Sequence, residues 1–177
     1  MKLVVLDRDG TINHDSNKYI KSPAEWKPIK GSLDAIAKLG QAGYRVVIAT
    51  NQSGIARGLF DMATLNAIHD TMHRAVNLAG GRIDAIFFCP PAADAGCACR
   101  KPKPGMLLEI AKRMNVDLRE VPMVGDSKKD LEAAAAAGAR PVLVLTGNGR
   151  KTRDAGDLPK GTLVCEDLAA FSAQLTP

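Results

Sequence analysis

The sequence predicts an α/β protein on a mostly parallel sheet of about six strands, with helices on both faces. Three observations carry this. Short apolar runs alternate with longer helix-like stretches, the pattern of strand–crossover–strand units. The first run, Lys2-Leu3-Val4-Val5-Leu6, is continuously apolar after its lysine and reads as a strand buried on both faces. The polar, chemistry-bearing groups follow such runs directly. Right-handed crossovers gather strand carboxyl ends on one edge of a sheet, where open α/β folds bind ligands.

The elements follow in order. Lys2–Leu6 is the first strand. Residues 32–42 carry apolar side chains at 33, 36, 37 and 39 and stop at Gly43, a helix with a glycine end. Residues 44–49 form the second strand, and 61–78 a long amphipathic helix with an acidic start. Ala85–Cys89 is the third strand. Residues 103–115 are helical, with Pro104 and Gly105 at the entrance. Pro122–Gly125 is the fourth strand, and Lys128–Ala137 an alanine-rich helix ending at Gly138. Residues 141–146 and 162–165 are the fifth and sixth strands, and 167–174 a closing helix. Polar, Pro- or Gly-bearing stretches at 13–31, 90–104 and 147–161 read as loops. No repeat or linker divides the chain, so 1–177 is expected to be one domain.

Composition excludes several classes. No apolar stretch approaches the ~20 residues of a membrane span, and a strand followed at once by acids is not a signal peptide. A cytoplasmic protein is expected. The net charge of +5 has no Lys/Arg block behind it, and one Trp, two Tyr and four Phe offer little for stacking bases. Neither a nucleic-acid nor a membrane partner is expected; a basic surplus suits a small anionic substrate. Cys89, Cys97 and Cys99 lie close together, with Cys165 apart. Structural disulfides are not expected in a cytosolic chain, so the trio points to metal or redox chemistry.

Four polar groups fall at the predicted strand ends. Asp7-x-Asp9 lies just past the first strand, where both acids can face one crevice; two close carboxylates imply a cation, a shared proton, or both. Ala49-Thr50-Asn51-Gln52-Ser53-Gly54 offers hydroxyls, amides and glycine-freed backbone to phosphate oxygens. Cys99-Arg100-Lys101-Pro102-Lys103-Pro104-Gly105 supplies cations that can neutralise a phosphoryl group. Val124-Gly125-Asp126-Ser127-x-x-Asp130 adds a third carboxylate, and oxygen ligands of this kind suit Mg²⁺ better than zinc. Each group alone also reads as a polar turn, a solvated loop or, for Asp130, a helix cap.

The four groups in this order resemble the haloacid dehalogenase (HAD) superfamily of phosphotransferases over essentially the whole chain. The resemblance implies a Rossmann-like core and a covalent aspartyl-phosphate mechanism. It makes Asp7 the nucleophile and Asp9 the acid/base. Thr50 and Lys101 would hold phosphoryl oxygens, and Asp7, the Asp9 carbonyl and Asp126 would hold Mg²⁺. The runs 7–13, 50–58 and 99–106 are similar to the histidinol-phosphate/heptose-bisphosphate phosphatase branch. The heptose members, which serve lipopolysaccharide core assembly, are the nearer likeness, as an unfused chain of this length favours. The stretches between Asp7 and Thr50 and between Thr50 and Lys101 are used up by core elements, so no cap domain is expected and loops must select the substrate. The likeness puts Asp15, Ser16, Asn17 and Lys18, Thr50 to Ser53 (with Asn51 and Gln52), and Arg100 with Lys101 on a sugar bisphosphate. Arg100 would clamp its distal phosphate. An open site of this kind fits a monomer.

The chain departs from the branch at two places. Ser127 stands where a lysine is often found. Pro91 stands where the branch has the histidine of a four-ligand zinc site, leaving Cys89, Cys97 and Cys99. His14, His69 and His73 lie far off in sequence. Three outcomes are open: zinc on three thiolates with water or an acid such as Asp94, a much weakened zinc site, or a metal-free loop shaped by Pro90 and Pro91. Three other readings compete with the heptose phosphatase. A histidinol-phosphate phosphatase would prefer an acidic pocket to Arg100. A receiver-type signalling domain carries its acceptor acid on a middle strand. A zinc-thiolate nucleic-acid module would need a fourth ligand.

Overall fold

A computed structural model of the chain describes residues 1–176. Among them, six strands form one sheet: β1 (Lys2–Leu6), β2 (Tyr44–Asn51), β3 (Ala85–Cys89), β4 (Pro122–Gly125), β5 (Arg140–Val144) and β6 (Leu163–Cys165). The order is β3-β2-β1-β4-β5-β6, and every neighbouring pair is parallel. The chain winds outward from β1 in one direction, then returns to place β4 on its other side. The crevice at the carboxyl ends of β1 and β4 is therefore the point where the winding reverses, and it is where a ligand site belongs.

The strands are apolar because both sheet faces are covered. Side chains alternate across a strand. Val4 and Leu6, with Val46, Ile48 and Val124, pack on one face against α1 (Ser32–Gln41), α2 (Met62–Leu78) and α6 (Leu168–Leu175). Leu3, Val5, Val47, Ala49 and Met123 pack on the other against α3 (Gly105–Met114) and α4 (Lys128–Ala137). Helix starts carry their own chemistry. The Asp61 carboxylate accepts from Thr64 N at 2.8 Å ahead of α2, and Ser127 and Asp130 form a reciprocal capping box at α4.

Most predicted elements lie within two residues of the observed bounds. The segment 147–161, read as a loop, instead contains α5 (Gly149–Ala155). Its sequence, GRKTRDA, is polar on every side and flanked by glycines, so it carries no apolar period to announce it. Residues 13–31 form a loop with a short 3₁₀ turn at Pro23–Glu25, but not a loosely held one. Ile20 and Trp26 within it, and Ile12 just before it, are buried in the core. This loop, with the short connections after β2 and β3, leaves no separate cap domain among the described residues. No helix there is long and apolar enough to cross a membrane.

Candidate active site

At the end of β1 the ladder persists one residue further: Asp7 N donates to Val124 O at 2.8 Å. The chain then folds back, with the N–H groups of Thr11, Ile12 and Asn13 all directed at Arg8 O. Gly10 sits in this turn at φ +81°, and a Cβ there would lie 2.1 Å from Asp126 Oδ2. The turn thus needs glycine twice over, for its backbone and for the approach of Asp126. Asp126 follows β4, and its Oδ2 accepts from Asn148 N at 2.8 Å.

Lys101 reaches the same crevice from the loop after β3. Its ammonium, 2% exposed as a residue, donates to Asp7 Oδ1 at 2.9 Å, Asp130 Oδ1 at 2.6 Å and Ala49 O at 2.7 Å. All three protons of the ammonium are thereby matched. Asn51 anchors the loop that delivers it. The Asn51 amide donates to Lys101 O at 3.0 Å and accepts from Lys101 N at 3.1 Å. Gln52 Nε2 bridges Thr50 Oγ1 (3.0 Å) and Asp9 Oδ2 (3.3 Å). Asp130 caps the helix as its position predicts and does more: one oxygen caps α4 through Ser127, the other holds Lys101.

The two acids of the Asp-x-Asp pair are tuned in opposite directions. Burial raises Asp7 well above the ordinary carboxylate range, and Asp130 and Asp126 add to this against the opposing pull of Lys101. Burial also works to raise Asp9, but Arg8, Asn13 and Gln52 outweigh it and hold Asp9 below its usual value. Burial, then Asp130, pushes Asp126 up to about 7. Lys101 would be lowered by burial, yet Asp130 and Asp7 raise it, so it stays charged. Oxygens of Asp7, Asp126 and Asp130 lie within 4.8 Å of one another, and one ammonium bridges Asp7 and Asp130. This surplus of buried negative charge fits a hard divalent cation such as Mg²⁺.

A cleft of about 330 Å³ opens over these groups. It is lined by Asp7, Asp9, Thr50, Asn51, Gln52, Ser53, Arg100, Lys101 and Asp126, and by Asp15 and Ser16 of the long loop. Asn17 and Lys18, expected on the substrate, do not line it; Tyr19 and Ile20 do. The chain turns there, with Tyr19 N donating to Ser16 O and Tyr19 at φ +65°, so the next two side chains take the inward positions. Lys129 and Asn148 also line the cleft, beyond the residues the sequence predicts for it. Asn148 follows β5 at the same sheet edge, so the strand-end rule that found the other groups extends to it.

Cys89, Cys97 and Cys99 come together, with their sulfurs within 4.8 Å of one another. Contrary to the expectation of no structural disulfide, Cys89 and Cys99 are bonded, and Cys97 remains free. The end of β3 and the returning loop bring their Cα atoms to 5.8 Å, inside the range a disulfide spans. Neither Asp94 nor a histidine joins the group among the described residues. With Pro91 in place of a fourth ligand, the residues as placed do not fit a closed structural zinc site.

A parallel sheet with an Asp-x-Asp pair after its first strand, a lysine from the third loop and further carboxylates after the fourth strand defines a HAD-type phosphatase. A HAD-hydrolase-like family model matches residues 98–171. The chain is 65% identical to the D-glycero-beta-D-manno-heptose-1,7-bisphosphate 7-phosphatase of Bordetella bronchiseptica, covering 99% of this chain and 98% of that one. It is 55% identical to the Pseudomonas putida protein of the same name, over 99% of each. The B. bronchiseptica D,D-heptose 1,7-bisphosphate phosphatase, crystallised with magnesium and phosphate, superposes with a TM-score of 0.98 at 64% identity, covering 99% and 98% of the two chains. The Burkholderia thailandensis enzyme gives 0.80 at 55%, covering 98% and 97%. The chain belongs to this family of heptose-bisphosphate phosphatases within the HAD-like hydrolases.

The raised Asp126 sets a pH dependence. A carboxyl bound to its proton more tightly when folded than when unfolded contributes stability in acid, lost as pH rises from its ordinary range through about 7. A cation beside it reverses that loss. Mg²⁺ should therefore raise Tm more at pH 8 than at pH 5, checked by thermal unfolding with and without Mg²⁺; an equal or smaller shift at pH 8 would contradict the assignment.

Proposed function

We propose that the chain removes the 7-phosphate of D-glycero-β-D-manno-heptose 1,7-bisphosphate, leaving the heptose 1-phosphate for lipopolysaccharide core assembly. The observation that carries the reading is the pairing of buried Asp7 with Lys101, beside Asp9, beneath a cleft walled by Arg100. The relatives' names support the heptose substrate and its β anomer.

In this reading an Asp7 oxygen attacks phosphorus. Burial raises Asp7 above the usual carboxylate range, and Mg²⁺ on Asp7, the Asp9 carbonyl and Asp126 would supply positive charge that favours its ionised form and offsets the phosphoryl charge. Thr50 would hold a phosphoryl oxygen, and Lys101 would do so by exchanging one of its three present acceptors for it. Asp9 hands a proton to the leaving sugar oxygen, then takes one from the water that hydrolyses the aspartyl-phosphate. The lowered pKa leaves Asp9 in the ionised form from which the second task starts, so for the first it must take up a proton from solvent as the anionic substrate binds beside it.

Arg100 favours a bisphosphate over histidinol phosphate. Its Nη1 is buried without a hydrogen-bond partner, and it forms no ion pair among the described residues. A cation left in that state on a cleft wall suits a second phosphate and not an ammonium group. Asp15, Ser16, Gln52 and Ser53 would meet the sugar. We read 1–177 as one domain, supported by the continuous sheet, acting as a cytoplasmic monomer without nucleic-acid or membrane partners. The zinc expectation narrows to a three-thiolate site available only after the Cys89–Cys99 bond is reduced.

Three outcomes are expected. With Mg²⁺, the wild type should release one phosphate per bisphosphate and prefer it to histidinol phosphate, while Asp7→Asn should be folded and without turnover. Ordinary turnover in Asp7→Asn would end the covalent scheme. Arg100→Ala should cost a bisphosphate about 10-fold or more in kcat/KM and a monophosphate far less; equal losses would remove the clamp. Protein purified under reductant should retain more zinc by elemental analysis than oxidised protein or Cys97→Ser. Equal contents would remove the three-thiolate site.

A further inference from the structure

The catalytic scheme leaves one large buried group unexplained. Arg8 lies between the two acids in sequence, and its side chain is wholly buried. Its Nε donates to Asp9 Oδ1 at 2.8 Å and its Nη2 to Asp9 Oδ2 at 3.1 Å, a two-pronged fork on one carboxylate. Its remaining nitrogen, Nη1, lies 3.1 Å from Nε2 of His69, which comes from the middle of α2 and is 7% exposed. Nothing in the Asp-x-Asp pattern points to a histidine so far along the chain.

The geometry points to Arg8 and His69 as positioning residues for Asp9: His69 accepts a hydrogen bond from Arg8, and Arg8 in turn fixes the plane and direction of the Asp9 carboxylate. The inference rests on Asp9 being the acid/base, as proposed above. A fork to a carboxylate fixes the two groups in one plane, but it leaves the pair free to swing together about the arginine's own bonds. The bond to His69 closes that freedom. Asn13 Nδ2 on Asp9 Oδ1 (3.0 Å) and Gln52 Nε2 on Oδ2 (3.3 Å) hold the carboxylate from other sides.

Neutralising Asp9 needs only the fork; the imidazole adds no charge of use, because it must be neutral to accept from a guanidinium. The surroundings keep it so. Burial, then Arg8, pushes His69 down to about 3, against a weaker pull from Asp9 and with His73 adding to the fall. The proton therefore sits on Nδ1 and the lone pair on Nε2 faces Arg8. The ring is also set edge-on to Phe88, with centroids 6.4 Å apart, which fixes its tilt.

The test compares His69→Leu, which removes the acceptor and keeps the bulk apolar, with His69→Gln, whose amide oxygen can still accept. His69→Leu should lower kcat about 10- to 100-fold with KM nearly unchanged, the signature of a misplaced proton-transfer group. His69→Gln should recover most of that loss. Wild-type-like kcat in His69→Leu, or equal losses in both variants, would overturn the inference. If His69→Leu does not fold, ¹⁵N NMR of the wild type decides. Nε2 should show the shift of an unprotonated, acceptor nitrogen from pH 5 to 9, and a protonated Nε2 would overturn the inference. Asp9→Asn, run alongside, separates the two claims. Full activity there would remove the acid/base reading itself, whatever His69 does.

Discussion

The ammonium of Lys101 is the interaction on which the rest of the site depends. It is a buried cation touching two carboxylates and a backbone carbonyl from three different stretches of chain: Asp7 after β1, Ala49 in β2 and Asp130 in α4. Burying a charge of this kind costs several kcal/mol unless it is paired and hydrogen-bonded, and here every proton has a partner. The loop that carries it is clamped by the Asn51 amide, so the cation has little freedom to leave. Asp130 binds both Lys101 and the start of α4, which ties the site's charge balance to the seating of a helix.

One cation does not balance the acids around it. Asp7, Asp126 and Asp130 share the crevice, and the first two are driven toward their protonated forms. The site is therefore built with a deficit of positive charge on the side facing the cleft. A divalent cation would supply that deficit below, while Arg100 and Lys129 present positive charge at the wall of the cleft. The arrangement suits a substrate that is itself strongly anionic at two separated points. Asp9 stands outside this acidic cluster electrostatically, since Arg8 answers its charge directly.

Much of this was legible in the sequence because strands buried on both faces advertise themselves and because the parallel winding puts their carboxyl ends together. Lys2–Leu6, Ala85–Cys89 and Pro122–Gly125 lie where their apolar runs predict, and Asp7, Thr50, Lys101 and Asp126 meet where the strand-end rule places them. What escaped depends on partners distant in sequence or on exposed chain. The polar helix Gly149–Ala155 has no buried stripe to give it a period. The family likeness places Asn17 and Lys18 on the substrate, but the turn at Tyr19 presents Tyr19 and Ile20 to the cleft instead. The Cys89–Cys99 bond depends on how the loop returns to β3, which spacing alone does not define. Arg8 and His69 meet only because α2 packs over the end of β1.

The clamp between Asn51 and Lys101, and the bonds from Lys101 to Asp7 and Asp130, join residues that are strangers along the chain: Asp7 and Lys101 are 94 positions apart. No local piece of the polypeptide contains a working fragment of the site. Loops of this length close slowly, and parallel strand pairing comes late in folding because its entropy must be met before its contacts form. During refolding, helical signal should therefore return ahead of enzymatic competence. A nascent chain still lacking α4 has no completed lysine cradle and stays catalytically silent, however much of the sheet has formed behind it.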